Sequence, residues 1–168
     1  SFRIFATTNI GNDALQRLRD KGWDLEVYEQ VEPPPTTLIL QKVKSGIDAL
    51  ITTLRDKIDE EVFAAGKKAG LKVVAQMAVG FDNIERAAAN KHGIPFSNTA
   101  DVLTDATAEF AFLIMGTAGR MTWPSEQAVR EQTWSTWHPW HPWLGDEVTG
   151  KTVAVIGTGR IGKSFIKK

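Results

Sequence analysis

The sequence has no cysteine among its 168 residues, which removes disulfides, thiolate nucleophiles and cysteine metal sites together. It also has no excess of charge of either sign. Twenty Lys and Arg balance twenty Asp and Glu, so no overall field draws the chain to nucleic acid or to an anionic membrane. Long apolar runs are missing too, with none near the roughly 18 residues a membrane helix needs. Ser1-Phe2-Arg3-Ile4-Phe5 opens as a strand rather than as a secretory leader. Histidine is scarce. His138 and His141 stand three apart, but Pro139 and Pro142 prevent a helix from presenting both, and with no third ligand nearby no metal site is expected. What is present, 42% hydrophobic and 24% charged residues, suits a globular chain that buries one good core or two small ones.

Strand-like and helix-like segments alternate along the first hundred residues. Strands are expected at Phe2 to Ala6, Leu25 to Tyr28, Asp48 to Thr52, Lys72 to Ala75 and Ile94 to Ser97. Between them fall helices over Asn12 to Lys21, with Ala14, Leu15 and Leu18 inward, from an N-cap at Thr36 to Ser45-Gly46, over Asp59 to Ala65 and over Asn83 to Asn90. This βαβαβ rhythm predicts an α/β fold, a parallel sheet with helices on both faces.

After Asn98 the texture changes. A long helix is expected from Asp101 to Met121, with Val102, Ala106, Phe110, Leu113 and Thr117 along one face. Gly116 and Gly119 cost it about 1 kcal/mol each relative to alanine, so either something packs closely there or the helix ends early. Trp123-Pro124 introduces a shorter helix over Ser125 to Glu131, and Trp134 to Asp146 is a loop of Trp, His and Pro. The boundary is placed near Thr99, giving a first lobe of residues 1–99 and a second, barely begun, of residues 100–168.

Lys151 to Gly162 carries the most specific chemistry. Val153, Ala154, Val155 and Ile156 form an apolar run suited to a strand buried on both faces, and Gly157-Thr158-Gly159-Arg160-Ile161-Gly162 follows at once. In that pattern Gly157 permits the tight turn, Gly159 lets a pyrophosphate approach the backbone, and Gly162 lets the helix pack closely on the strand. The context predicts a dinucleotide, NAD or NADP. The acidic or basic residue that selects between them is expected about 20 residues further on, beyond Lys168.

In an open parallel sheet, ligands bind beyond the carboxyl ends of the strands. The loop Gln76-Met77-Ala78-Val79-Gly80-Phe81-Asp82-Asn83 lies there. Two readings stand side by side: outward backbone N–H groups near Gly80 that hold a carboxylate, or a plain connection in which Val79 packs, Gly80 turns and Asp82 or Asn83 caps the next helix.

Taken in order, Ala49 to Leu54, Ala78 to Ile84, His92-Gly93-Ile94-Pro95, Asn98-Thr99, Val102 to Glu109, and Gly150-Lys151-Thr152 leading to Gly162 resemble the D-isomer-specific 2-hydroxyacid dehydrogenases. Within them the chain is most similar to the glyoxylate and hydroxypyruvate reductases. The resemblance implies a flavodoxin-like substrate lobe followed by the start of a Rossmann lobe, and hydride transfer between NAD or NADP and a 2-oxo or 2-hydroxy acid. It places the main-chain N–H groups of Val79 and Gly80 on the substrate carboxylate, with Leu54 lining the same pocket. Thr104 falls beside the nicotinamide, Thr158, Gly159, Arg160 and Ile161 form the pyrophosphate cradle, and Gly157 and Gly162 frame it. The helix from Asp101 becomes a hinge and dimerisation element, and Trp140 or Trp143 reaches the partner's pocket in a homodimer.

The family's catalytic arginine, carboxylate and histidine all follow the strand matching Thr152 to Ile156, so none is expected in this chain. A lone strand at Val153 to Ile156 has no neighbour to pair with, which makes the chain read either as the N-terminal half of a protein about twice as long or as a chain whose order is lost after Lys168. A cytoplasmic enzyme is the simplest expectation. Two alternatives are a catalytically inactive binding or dimerisation module and a redox-sensing regulator built on the same lobes.

Overall fold

The computed structural model describes all residues, 1–168. Its contacts divide the chain into two units, Ser1–Ala100 and Asp101–Lys168. No helix is long and apolar enough to cross a membrane.

The first unit is built on five parallel strands, β1 (Arg3–Ala6), β2 (Asp24–Val27), β3 (Ala49–Thr52), β4 (Val73–Gln76) and β5 (Phe96–Ser97). Their order is β2-β1-β3-β4-β5, the flavodoxin-like order, with its switch point between β1 and β3. Helices α1 (Asn12–Arg19), α2 (Thr36–Lys44), α3 (Glu60–Ala69) and α4 (Arg86–His92) make the crossovers. Because β2 and β3 flank β1 on opposite sides, the right-handed rule sends α1 to one face of the sheet and α2, α3 and α4 to the other. The core lies mainly under the three-helix face. There Ile39 and Val43 of α2 and Val62 and Phe63 of α3 are buried with Leu50 and Val74 of the strands.

Several local expectations give way. Thr36 is the first residue of α2 rather than its cap. Pro35 takes the cap position with no side-chain bond, and its carbonyl accepts from the Leu38 and Ile39 N–H groups. Helix α3 runs past Ala65 to Ala69, because Gly66 packs against Leu71 and Ile94 instead of ending it. It stops at Gly70, whose φ of +90° is the left-handed conformation glycine tolerates. Helix α4 starts at Arg86, so neither Asp82 nor Asn83 caps it. On α1 only Leu15 is buried, while Ala14 and Leu18 are half-covered.

The second unit holds α5 (Thr104–Gly119), α6 (Thr122–Arg130) and α7 (Arg160–Ile166). Gly116 has open space beside it, and the helix ends at Gly119. The buried residue of α5 is Ala108, whereas Phe110 and Leu113 of the expected inward face are exposed and Val102 precedes the helix. Pro124 sits in the first turn of α6, where its missing N–H costs nothing. Val153 to Ile156 form no strand: nothing in the chain pairs with them, and Ile156 is fully exposed.

Asp101, just ahead of α5, and Asp105 and Glu109 along it receive Arg160 Nη1 at 2.7 Å, Ser164 Oγ at 2.6 Å and Lys168 Nζ at 3.1 Å. Phe112 meets Phe165 one turn further on, with ring centroids 6.3 Å apart.

Candidate functional site

At the carboxyl ends of β1, β3 and β4 the sheet gathers polar side chains where an apolar core would otherwise continue. Thr7, Thr52, Thr53, Asp56 and Gln76 are all buried. Asp56 Oδ2 accepts from Thr7 Oγ1 at 2.6 Å, from the Thr53 N–H at 2.7 Å and from Thr53 Oγ1 at 3.3 Å, while its Oδ1 has no partner. Asn83 Nδ2 donates to the carbonyls of Thr53 (3.1 Å) and Asp56 (2.7 Å) and to Gln76 Oε1 (3.0 Å). These bonds fasten the loop after β3 to the loop after β4, and the bridge between Ile58 and Ile84 continues the join. Buried polar groups must be satisfied or they cost stability; here their satisfaction fixes two loops at the ligand-binding edge of the sheet.

The β4–α4 loop is held from behind at three successive carbonyls. Ala78 O accepts from the Thr99 N–H at 2.9 Å, Val79 O from Asn98 Nδ2 at 2.8 Å and Gly80 O from Gln76 Nε2 at 2.8 Å. A trans peptide points its N–H away from its C=O. Anchoring the Ala78 and Val79 carbonyls inward therefore turns the Val79 and Gly80 N–H groups outward, and neither donates to a protein group. No atom lies within 4 Å of where a Gly80 Cβ would stand. Leu54, on the neighbouring loop, is 67% exposed at the same edge. On the α1 face, an apolar cleft of about 350 Å³ opens between Ile10, Ala14 and Leu18 and the ends of β3 and β4 at Ile51, Ala75 and Met77.

The glycine turn of the second unit has the shape its spacing requires. Gly157 adopts φ +92°, Gly159 has nothing within 4 Å of where a Cβ would stand, and a Cβ on Gly162 would overlap the Gly157 carbonyl. The turn is the nearer neighbour of Gly162, and Val155 of the apolar run before it lies 3.6 Å from the same Cβ position. Thr158 is exposed, and Ile161 lies in the first turn of α7. The Arg160 guanidinium is engaged by Asp101, so the turn offers an anion its backbone N–H groups rather than a free cation. Such an open, glycine-lined turn ahead of a helix fits a pyrophosphate. Thr104 opens α5, half-buried, next to Asp105.

In the loop after α6, Trp140 is 83% exposed, whereas Trp143 stacks on His141 at 4.6 Å. His92 Nε2 lies 2.9 Å from Glu60 Oε1 between α3 and α4. No group of three or more His, Asp or Glu converges as a metal site.

Sequence reasoning singles out Val79, Gly80 and Leu54 but misses the amides and the carboxylate behind them. Asn98 is visible only as part of a motif, and Asn83 only as a helix cap.

A flavodoxin-like parallel sheet of five strands crossed by helices, followed by a glycine turn into a helix, defines an α/β protein of the open parallel-sheet class. The family profile "D-isomer specific 2-hydroxyacid dehydrogenase, catalytic domain" matches residues 4–157, and the chain belongs to that family. It is 39% identical over 166 residues to the glyoxylate reductase of Korarchaeum cryptofilum, covering 99% of this chain and 49% of that protein. The glyoxylate reductase of Pyrococcus horikoshii is 40% identical over 169 residues, with 99% and 49% covered. A crystal structure of a Thermus thermophilus protein superposes with a TM-score of 0.89 at 35% identity, covering 98% of this chain and 51% of that one. The chain thus spans about half the length of the curated relatives it matches.

Proposed function

We propose that the protein to which this chain belongs reduces a small 2-oxo acid, glyoxylate or hydroxypyruvate, to its D-2-hydroxy acid with NADH or NADPH. The observation that carries this reading is the pair of outward, unengaged N–H groups at Val79 and Gly80, on a loop whose Ala78, Val79 and Gly80 carbonyls are anchored. Two convergent N–H donors suit a carboxylate, and Leu54 beside them supplies an apolar wall for a substrate with few atoms. The names of the relatives support the same substrate class.

When bound, the nicotinamide supplies the hydride. This chain's residues do the holding. Val79 and Gly80 fix the carboxylate, and through it the position of the adjacent carbonyl carbon. Gly157, Thr158, Gly159, Arg160, Ile161 and Gly162 present backbone N–H groups to the pyrophosphate, with the Arg160 side chain kept back by Asp101. Thr104 lies at the nicotinamide end. The arginine, carboxylate and histidine that the resemblance implies for proton transfer are proposed to lie in the full-length protein outside this chain. His92 is already committed to Glu60.

A homodimer and a cytoplasmic location are part of the proposal. Phe110, Leu113 and Ile114 on α5 and Trp123 on α6 are exposed together in the second unit, as a face covered by a second copy would be. Trp140 or Trp143 is the residue proposed to reach the partner's pocket.

The test is a steady-state assay of the full-length protein with glyoxylate, hydroxypyruvate and pyruvate against both nicotinamides. Turnover of glyoxylate or hydroxypyruvate supports the reading. Cofactor binding without turnover of any 2-oxo acid would replace it with the redox-sensing regulator, and loss of both with a binding or dimerisation module.

A further inference from the structure

We infer that Asn98 is a positioning residue for the substrate carboxylate: by holding the Val79 carbonyl from behind, its amide aims the Gly80 N–H at the ligand. The inference rests on the proposed reduction of a 2-oxo acid and goes beyond it by naming the group that sets the donor's direction.

The peptide plane between Val79 and Gly80 has one free rotation that matters, because turning it over would present a carbonyl oxygen to the carboxylate instead of an N–H. Asn98 Nδ2 lies 2.8 Å from Val79 O. The plane before it is held by the Thr99 N–H on Ala78 O, and the plane after it by Gln76 Nε2 on Gly80 O. Of the two planes whose N–H groups face the ligand, one is secured by backbone from Thr99 and the other by the side chain of Asn98. The side-chain brace is the one that mutation can remove. Asn98 and Thr99 directly follow β5, which pairs with β4, so the brace stands on the sheet rather than on another loop. Gly80 heightens the need for it. With no Cβ and open space around it, its neighbouring planes rotate at little steric cost, so their direction has to come from hydrogen bonds.

Asn98 is half-buried and contributes a neutral donor. Its removal therefore weakens a directed hydrogen bond to substrate without changing the charge of the site. That bond forms on binding and persists unchanged through hydride transfer, so it contributes equally to ground and transition states and its loss appears in KM rather than kcat.

The experiment compares wild type, Asn98→Ala and Asn98→Asp in the full-length protein, with KM and kcat measured for glyoxylate, KM for the nicotinamide, and the thermal midpoint. The expected result for Asn98→Ala is a KM for glyoxylate raised about tenfold, with kcat and the cofactor KM within about twofold of wild type. A residue that merely supported the fold would lower the midpoint and the active fraction, and with it kcat, leaving KM in place. A folded Asn98→Ala enzyme whose glyoxylate KM stays within about twofold of wild type would overturn the inference while leaving the function intact.

If Asn98→Ala does not fold, the isosteric Asn98→Asp decides. Its carboxylate cannot donate to Val79 O, so the rise in KM is expected to survive at about 1 M salt, where through-space repulsion of the substrate is screened. A rise abolished by salt overturns the inference. Wild type that turns over no 2-oxo acid sinks the function first and the positioning role with it.

Discussion

Gly162 stands directly against the carbonyl of Gly157, so closely that any side chain at 162 would occupy the space of that oxygen. The obstacle is backbone, which no rotamer change relieves. Gly162→Ala therefore has to push α7 away from its turn, at a cost of about 1–3 kcal/mol. The expected outcome is a cofactor KM raised at least about tenfold with the glyoxylate KM little changed. Gly159→Ala, where nothing crowds the added methyl, leaves the fold unperturbed and weakens only the approach of the pyrophosphate. Fluorescence titration with NADH and NADPH checks both; equal affinity for wild type and Gly162→Ala would contradict the geometry.

Leu54 presents the opposite case, an apolar side chain 67% exposed at the working edge of the sheet. Truncation to alanine is expected to change the unfolding free energy by less than about 0.5 kcal/mol. The KM for glyoxylate should nevertheless shift severalfold, with a broader tolerance for larger 2-oxo acids. Urea unfolding alongside a substrate panel separates the two effects, and a stability loss above about 2 kcal/mol would show that Leu54 packs rather than lines a pocket.

Asp56 anchors three donors with one buried oxygen. Removing it in Asp56→Ala strands Thr7 Oγ1 and the N–H and hydroxyl of Thr53 without an acceptor, a loss of about 2–4 kcal/mol. The measurement is the urea midpoint at neutral pH. An unchanged midpoint would mean that the network contributes no stability and that its loops are fixed by packing alone.

Three exposed or part-exposed carboxylates set the expected acid response. The Lys91 ammonium, and then His92, hold Glu60 below its ordinary value of 4.5. The Arg3 N–H and then Lys72 hold Asp48 below 3.8, and Lys57 with the N–H groups of α3 does the same for Asp59. A depressed folded value favours the charged native form. The stabilisation is therefore complete above the unfolded values and is lost as pH falls through the folded ones. The urea midpoint should be flat from about pH 7 to pH 5.5 and fall progressively below about pH 4.5. Glu60→Gln should remove part of that fall, and a midpoint that rises on acidification would refute the assignment.

The alternation of the first hundred residues makes the parallel sheet legible, since strands such as Leu50 to Thr52 and helices such as Val62 to Ala65 carry period and propensity that agree. The order β2-β1-β3-β4-β5 is not legible in that alternation, since handedness fixes only the face each helix takes once the order is set. What misleads is local chemistry overridden by packing. Gly66 reads as a helix end but fills a gap against Leu71 and Ile94, and Asn83 reads as a cap but joins two loops. Val153 to Ile156 carries strand propensity with no partner to express it, because a strand is a property of a pair. At the candidate site, the turn glycines stand out by type and spacing, whereas Val79, Gly80 and Leu54 are singled out only by the family resemblance. Their supports stand out by neither, since Gln76, Asn98 and Asp56 act through distances that only the folded sheet creates.

The ladder from Asp101, Asp105 and Glu109 to Arg160, Ser164 and Lys168 gives α7 its reason to be a helix. Its seven residues are too few to hold a helix in water unaided, so α7 exists because α5 lends it a template, each rung joining positions 59 residues apart in sequence. The shape of the glycine turn is thus written partly upstream, in acidic residues that lie outside it. Drift at Asp105 alone would loosen that shape while every glycine of the fingerprint stayed in place, and a search for the motif would go on reporting an intact turn.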